Sequence, residues 1–199
     1  MIRFQTPEGA TPIDDSSGLK LKHVTTYADL CAAEAEGILA AHALHLTRRK
    51  NPKRAWLTED FIRRLHRDMF GAVWDWAGTY RTAQTNVGVA PASIREEVAK
   101  LCQDAVYWNQ AEAAMPVVER AARLHHRCVW IHPFPNGNGR HARLLADIYL
   151  RSHGHALPSW PAGLAGAGPA RAAYLAALRA ADAGDIAPLA AMTERLTTR

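Results

Sequence analysis

The chain has 199 residues, 48% apolar and 22% charged, with a net charge of +5 and a pI near 9.4. That length holds one domain with a buried core, and the composition excludes a disordered chain. No start resembling a signal peptide precedes Pro7, and no apolar run approaches the roughly 20 residues of a membrane span, so a cytoplasmic location away from membranes is expected. The basic residues are dispersed except in 48-RRKNPKR-54, read as a solvated loop, and the aromatic-plus-basic interleaving of a nucleic-acid face is missing, so nucleic acid is not expected as the primary ligand. Cys31, Cys102 and Cys128 cannot all pair within the chain and read as reduced, buried thiols.

Residues 1–25 form an irregular lead-in, with Pro7, Gly9, Pro12 and 14-DDSSG-18, and residues 26–199 are read as one domain. Thr26 with Asp29 caps a first helix over about 26–47, with Leu30, Ala33, Gly37, Ile38, Ala41 and Leu44 at helical spacing. Gly37 stands in mid-helix at a cost of about 1 kcal/mol relative to Ala, which implies a close approach by another group. Thr58 starts a second helix, followed by Glu59 and Asp60, with Leu57 placed to staple against Ile62, and this helix should reach Phe70. Helical periodicity then stops in 74-WDWAGTYRTAQTNVGVA-90. Gly78 and the turn signal 85-TNVG-88, flanked by Tyr80, Thr82, Val87 and Val89, predict a short β-hairpin over about 78–90.

Ser93 and Glu96 read as a capping box ahead of a helix to about Asn109, and Pro116 opens another, with Val117, Ala121, Leu124 and Cys128 on one side. That helix runs into 130-WIHPFPNGNGRHAR-143. Leu144, Leu145, Ile148 and Tyr149 carry the next helix to Gly154, a Pro/Gly loop covers 155–169, and two Ala-rich helices over about 169–183 and 186–197 close the chain. The fold class is therefore all-α, a helical bundle with one hairpin. The tryptophans Trp74, Trp76 and Trp130 are assigned to packing.

The segment after Ile131 has the chemistry of a phosphate site. Gly137 and Gly139 permit backbone angles closed to other residues and let successive N–H groups converge at a helix N-terminus, which makes an anion nest. Arg140 and Arg143 share a face of the following helix and are placed to grip phosphate oxygens. His132, just before the loop, has the pKa range to take a proton from an attacking hydroxyl, Phe134 anchors the loop, and Asn138 shapes it through its own backbone. His125, Cys128 and His132 also fall at i, i+3 and i+7, but no second pair completes a zinc tetrahedron.

Residues 132-HPFPNGNGRHAR-143 resemble the Fic-family signature H-x-F-x-[D/E]-G-N-G-R-x-x-R, departing from it at Asn136. The resemblance extends through 76-WAGTYR-81 and covers roughly residues 26–153, and in length and layout the chain is similar to the short Fic chains termed mobile mystery protein B. It implies a toxin-like, Fic-type helical core acting as a protein adenylyltransferase, which transfers AMP from ATP to a Ser, Thr or Tyr hydroxyl of a target protein, itself included. His132 would be the general base, with Gly137, Asn138, Gly139, Arg140 and Arg143 around the nucleotide. The hairpin, with Thr82, Thr85, Asn86, Val87 and Gly88, would dock an extended target segment as an added strand. The family's acidic residue holds Mg²⁺ and Asn136 replaces it, which implies a weakly held metal. The same departure keeps open a Doc-like phosphotransferase, a variant that removes AMP, and a degenerate module that binds nucleotide or a partner without turnover.

Many Fic proteins are held off by a helix bearing [S/T]-x-x-x-E-[G/N], and 32-AAEAEG-37 resembles it with Ala32 in the hydroxyl position. On that resemblance Glu36 would pair with Arg143 and hold the enzyme inactive, and Gly37 would let the helix approach the loop.

Overall fold

The computed structural model describes residues 17–47, 51, 56–110, 115–164, 166 and 168–197. Most of the lead-in, and all but Asn51 of the basic run 48–54, lie outside them. The helices are α1 (Tyr27–Thr47), α2 (Glu59–Phe70), α3 (Ile94–Gln110), α4 (Val117–Ile131), α5 (Asn138–Ser152), α6 (Pro169–Asp182) and α7 (Ala187–Thr197). The start of α1 is a reciprocal cap: the Thr26 amide donates to Asp29 Oδ2 (3.0 Å) and the Asp29 amide donates to Thr26 Oγ1 (3.1 Å). Thr58 caps α2 by accepting from the Phe61 amide at 3.1 Å. The Ser93–Glu96 box is replaced by a 3₁₀ turn over Pro91–Ser93, and Glu96 turns to Lys100 at 2.8 Å.

Helix α5 is the centre of the molecule. Every residue from Leu144 to Leu150 is buried, which requires neighbours on all sides, and α4, α2 and α1 supply them. The main core joins Leu30 and Ala41 of α1 with Ile62, Leu65 and Met69 of α2 and Leu101 of α3. Leu124 and Cys128 of α4 and Leu144, Ile148 and Tyr149 of α5 complete it. A smaller core sets Ala122 of α4 against Tyr174, Ala177 and Leu178 of α6 and Leu189 of α7. Helix α4 therefore lies between the two cores, and the loop that leaves its C-terminus is fixed from both sides.

Two sequence features find their reason in this packing. A Cβ on Gly37 would lie 2.5 Å from the Met69 carbonyl oxygen, so the glycine serves the crossing of α1 over α2 rather than an approach to the motif loop. Residues 78–90 form no hairpin, and the described residues contain no strand, only an isolated bridge between Leu19 and Trp74. The two arms pair with the end of α4 instead of with each other: the Arg81 amide donates to Pro133 O (3.0 Å) and the Val89 amide to Ile131 O (3.3 Å). The Arg81 guanidinium then joins the arms, donating to the carbonyls of His132 (2.7 Å), Ala83 (3.0 Å) and Val89.

Candidate active site

The site is the six-residue turn between α4 and α5. His132 ends α4 in a left-handed conformation, φ 53° and ψ 58°, unusual for a residue with a β-carbon. Its carbonyl is held by Arg81, and Gly88, at φ 98°, packs so closely that a Cβ there would meet His132 Cβ at 2.5 Å. His132 is 8% exposed. Burial, then the charge of Arg81, push its pKa down to about 4, against a hydrogen bond to the Val129 backbone that raises it. At neutral pH the imidazole is uncharged and carries a lone pair, the state a base requires.

Beyond His132 the loop is braced by buried side chains. Phe134 is fully buried and stacks on His66 of α2, ring centroids 3.8 Å apart. Asn138, 1% exposed, uses both ends of its amide on Phe134: Oδ1 accepts from the Phe134 amide (2.9 Å) and Nδ2 donates to its carbonyl (2.8 Å). Its side chain is thereby spent on shape, and only its place in the first turn of α5 faces a ligand. His66 ties two segments together. Its Nδ1 accepts from the Gly78 amide at 3.0 Å, which fixes the proton on Nε2, and Nε2 donates to the Asn136 carbonyl at 3.0 Å. Burial first, then the neighbouring His141, hold the His66 pKa well below the usual value.

Gly137 takes the left-handed conformation, φ 77°, at the N-cap of α5, and a Cβ there would strike the Phe70 ring at 2.7 Å. Gly139 differs from expectation. It lies in the helix without positive φ, and what it provides is space, since a Cβ would sit 3.7 Å from Arg143 Nη1 and 4.0 Å from the Tyr174 hydroxyl. Around that point the first turn of α5 offers its unpaired N–H groups and Arg143 its guanidinium, which together favour an anion.

Asn136 is not poised for a metal. Its Oδ1 accepts from the Gly137 amide at 2.6 Å and from Arg140 Nη2 at 3.5 Å, and no carboxylate replaces the missing one on the loop. The residues present do not fit a Mg²⁺ site, and no group of three His, Cys, Asp or Glu among the described residues forms one. His125, Cys128 and His132 diverge as well: His125 Nε2 bonds the Tyr174 hydroxyl (2.9 Å) and Cys128 lies 3.5 Å from His141 Nδ1. The cysteines are free, with Cys128 buried and Cys31 and Cys102 half-buried.

The expected pair between Glu36 and Arg143 is not formed. Glu36 is exposed on the outer side of α1 and makes no ion pair with any described residue. The acid that reaches the motif is Glu34. It is 3% exposed, accepts from Trp74 Nε1 at 2.8 Å and from Arg140 Nη1 at 2.7 Å, and Arg140 lies over the Phe70 ring. Helical geometry explains the exchange. Leu30, Glu34, Ala41 and His45 are the buried positions of α1 and recur at helical spacing, whereas Glu36 is turned about 200° from Glu34. That spacing was the signal in the sequence for Glu34. For Arg81, His66 and Tyr174 no local pattern exists, because their partners come from distant parts of the chain.

Of the segment expected to dock a target, Thr82, Asn86, Val87 and Gly88 are exposed beside the loop, and Thr85 is half-buried with its hydroxyl on the Val87 carbonyl at 2.5 Å. Trp74 is buried and stacked on Trp76, while Trp130 is partly exposed under Arg127.

Residues 56–150 match the model of the Fic/DOC family. A protein adenylyltransferase fic-1 of Caenorhabditis briggsae is 38% identical over 136 residues, 65% of this chain and 25% of that protein. The chain thus spans about a quarter of the length of the curated relatives it matches first. The solved Fic-1 structure from C. elegans is 29% identical, with a TM-score of 0.68 over 83% of this chain and 48% of that one. The N-terminal Fic domain of a Bartonella quintana effector, solved with bound ADP, shares the fold at 19% identity and TM-score 0.68, covering 96% of this chain and 95% of that one. Residues 56–150 are therefore a Fic/DOC family domain.

Proposed function

We propose that the chain is a protein adenylyltransferase that transfers AMP from ATP to a side-chain hydroxyl of a target protein. One observation carries the reading: a neutral, buried imidazole and a nest of backbone N–H groups flanked by Arg140 and Arg143 share one loop whose shape is fixed by Asn138, His66 and Arg81. The adenylyltransferase names of the relatives and the ADP bound to the Bartonella domain support it.

In the reaction, the target hydroxyl oxygen attacks the α-phosphorus, the bond from that phosphorus to the bridging oxygen breaks, and pyrophosphate leaves. His132 accepts the hydroxyl proton as the bond forms. The α5 N-terminus with Gly137 and Gly139 holds phosphate oxygens, and Arg140 and Arg143 take up charge on the departing group. Thr82 to Gly88 present the target segment beside His132. Because Asn136 offers an amide oxygen already bonded, no step is assigned to Mg²⁺.

The test is incubation of the purified protein and its His132→Ala variant with a cell lysate and ATP labelled at either the α or the γ phosphorus. Label from the α position on a protein, absent with His132→Ala, is expected. Label from the γ position alone would replace AMP transfer by phosphotransfer, and α-label undiminished by His132→Ala would remove the histidine from its role.

A further inference from the structure

We propose that Tyr174 of α6, with His125 of α4 behind it, is the positioning residue for Arg143 and sets the terminal-phosphate end of the nucleotide site; this rests on the reading of that loop as a nucleotide site. Tyr174 lies outside residues 56–150 and belongs to the smaller core, yet its hydroxyl stands beside the Arg143 guanidinium at the first turn of α5. Arg143 lies over the same ring, its Cζ 5.7 Å from the centroid, and its charge acts on the hydroxyl.

The direction of each bond follows from the groups involved. A guanidinium carries only N–H donors, so the Tyr174 oxygen turns its lone pairs toward Arg143 and its own proton elsewhere. It points at His125, whose Nε2 is 2.9 Å away. His125 is neutral there, consistent with complete burial and a pKa pushed down to about 3 by desolvation and then by Arg143. The hydroxyl cannot rotate away without leaving a buried acceptor unmatched.

A tyrosine does here what a carboxylate could not. Arg143 makes no ion pair with any described residue, so its charge is not quenched. Asp147, one turn further along α5, is turned to Trp160 Nε1 at 3.0 Å, and His42 of α1, near enough for Arg143 to depress its pKa, carries no negative charge. The guanidinium lies against a neutral ring and hydroxyl, outside any ion pair with a described residue, so its charge is available to a phosphate.

Tyr174→Phe removes the hydroxyl and keeps the ring. The expected result is a loss of ATP affinity of about tenfold with AMP affinity unchanged, a thermal midpoint lowered by a few degrees because His125 loses its buried partner, and no further loss of ATP affinity when the change is made in an Arg143→Ala background. Equal losses for ATP and AMP, or a full effect without Arg143, would overturn the assignment. So would an unchanged ATP affinity in a protein whose wild type binds ATP, and that outcome spares the nucleotide site itself. A wild type that binds no ATP would sink the site and this assignment together.

Discussion

Two glutamates two residues apart on α1 should behave as different residues, and Glu34→Gln against Glu36→Gln measures the difference. Glu34 is enclosed and serves two donors, Trp74 Nε1 and Arg140 Nη1, through its two oxygens. Glutamine keeps the shape but has one acceptor for two donors, and its amide nitrogen would face a donor. Removing one member of a buried ion pair costs about 3–5 kcal/mol. Arg140 is 30% exposed and can recover water, which lowers the expectation to about 1–2 kcal/mol. Glu34→Ala also orphans the Trp74 N–H and leaves a cavity, so about 3 kcal/mol or more is expected. Glu36 is exposed and makes no ion pair with any described residue, so Glu36→Gln should change stability by less than about 0.5 kcal/mol. Urea unfolding followed by tryptophan fluorescence reads all three, and ATP titration should show Glu34→Gln weakening nucleotide binding through a loosened Arg140. A Glu36→Gln loss equal to or larger than that of Glu34→Gln would refute the reasoning.

The two loop glycines should separate in a similar way. Gly137→Ala forces a β-carbon into the Phe70 ring at a left-handed position and should lower the melting midpoint by several degrees, whereas Gly139→Ala should melt near the wild type and lose nucleotide affinity. Acid lability is also expected. His66, His125, His132 and His141 all have folded pKa values below their ordinary 6.5, so the unfolded chain binds more protons, and the stability they share is lost as pH falls from 6.5 toward about 4. Asp147, raised to about 7, works in the opposite sense, because the folded state gains its proton first. Four rings against one carboxyl leave a net loss of stability toward acid, so the urea midpoint should fall steadily as pH is lowered from 6.5 to 4.5. A midpoint constant from pH 7 to 4.5 would contradict the burial of these rings.

What the sequence disclosed depended on range. Caps such as Thr26 and Thr58 and the periodicity of α4 and α5 are local, and they set the helices within a residue or two. The motif loop is local as well, and Gly137, Asn138 and the two arginines stand together in it. The segment 78–90 misled because its turn signals are real while its hydrogen-bond partners are not adjacent in sequence: the carbonyls of residues 131 and 133 compete for the amides that a hairpin would have used. Glu36 misled for another reason. The letters around it match the inhibitory pattern, but the buried stripe through Leu30 and Ala41 sets which side of α1 faces the core and selects Glu34.

The distribution of hydrogen bonds around the loop bears on how it could act. Each side chain that shapes it is saturated: Asn138 on Phe134, His66 between Gly78 and Asn136, Arg81 on three carbonyls, Glu34 on Trp74 and Arg140. Saturated groups have no spare capacity for a ligand, and their burial makes any rearrangement expensive. The capacity that remains lies in the first N–H groups of α5, the N–H groups of Arg140 not used on Glu34 and Asn136, the guanidinium of Arg143 and the imidazole of His132. A site built in this way need not reorganise when charge develops on a phosphate, which is the condition under which fixed dipoles stabilise a transition state more than water does. His66 adds a constraint, since one neutral ring holds the start of the 78–90 segment and the motif loop at once. On the proposed function, a target segment docked on Thr82 to Gly88 would be set against the loop by the scaffold, and its hydroxyl would meet the phosphate through a geometry that exists before either substrate arrives.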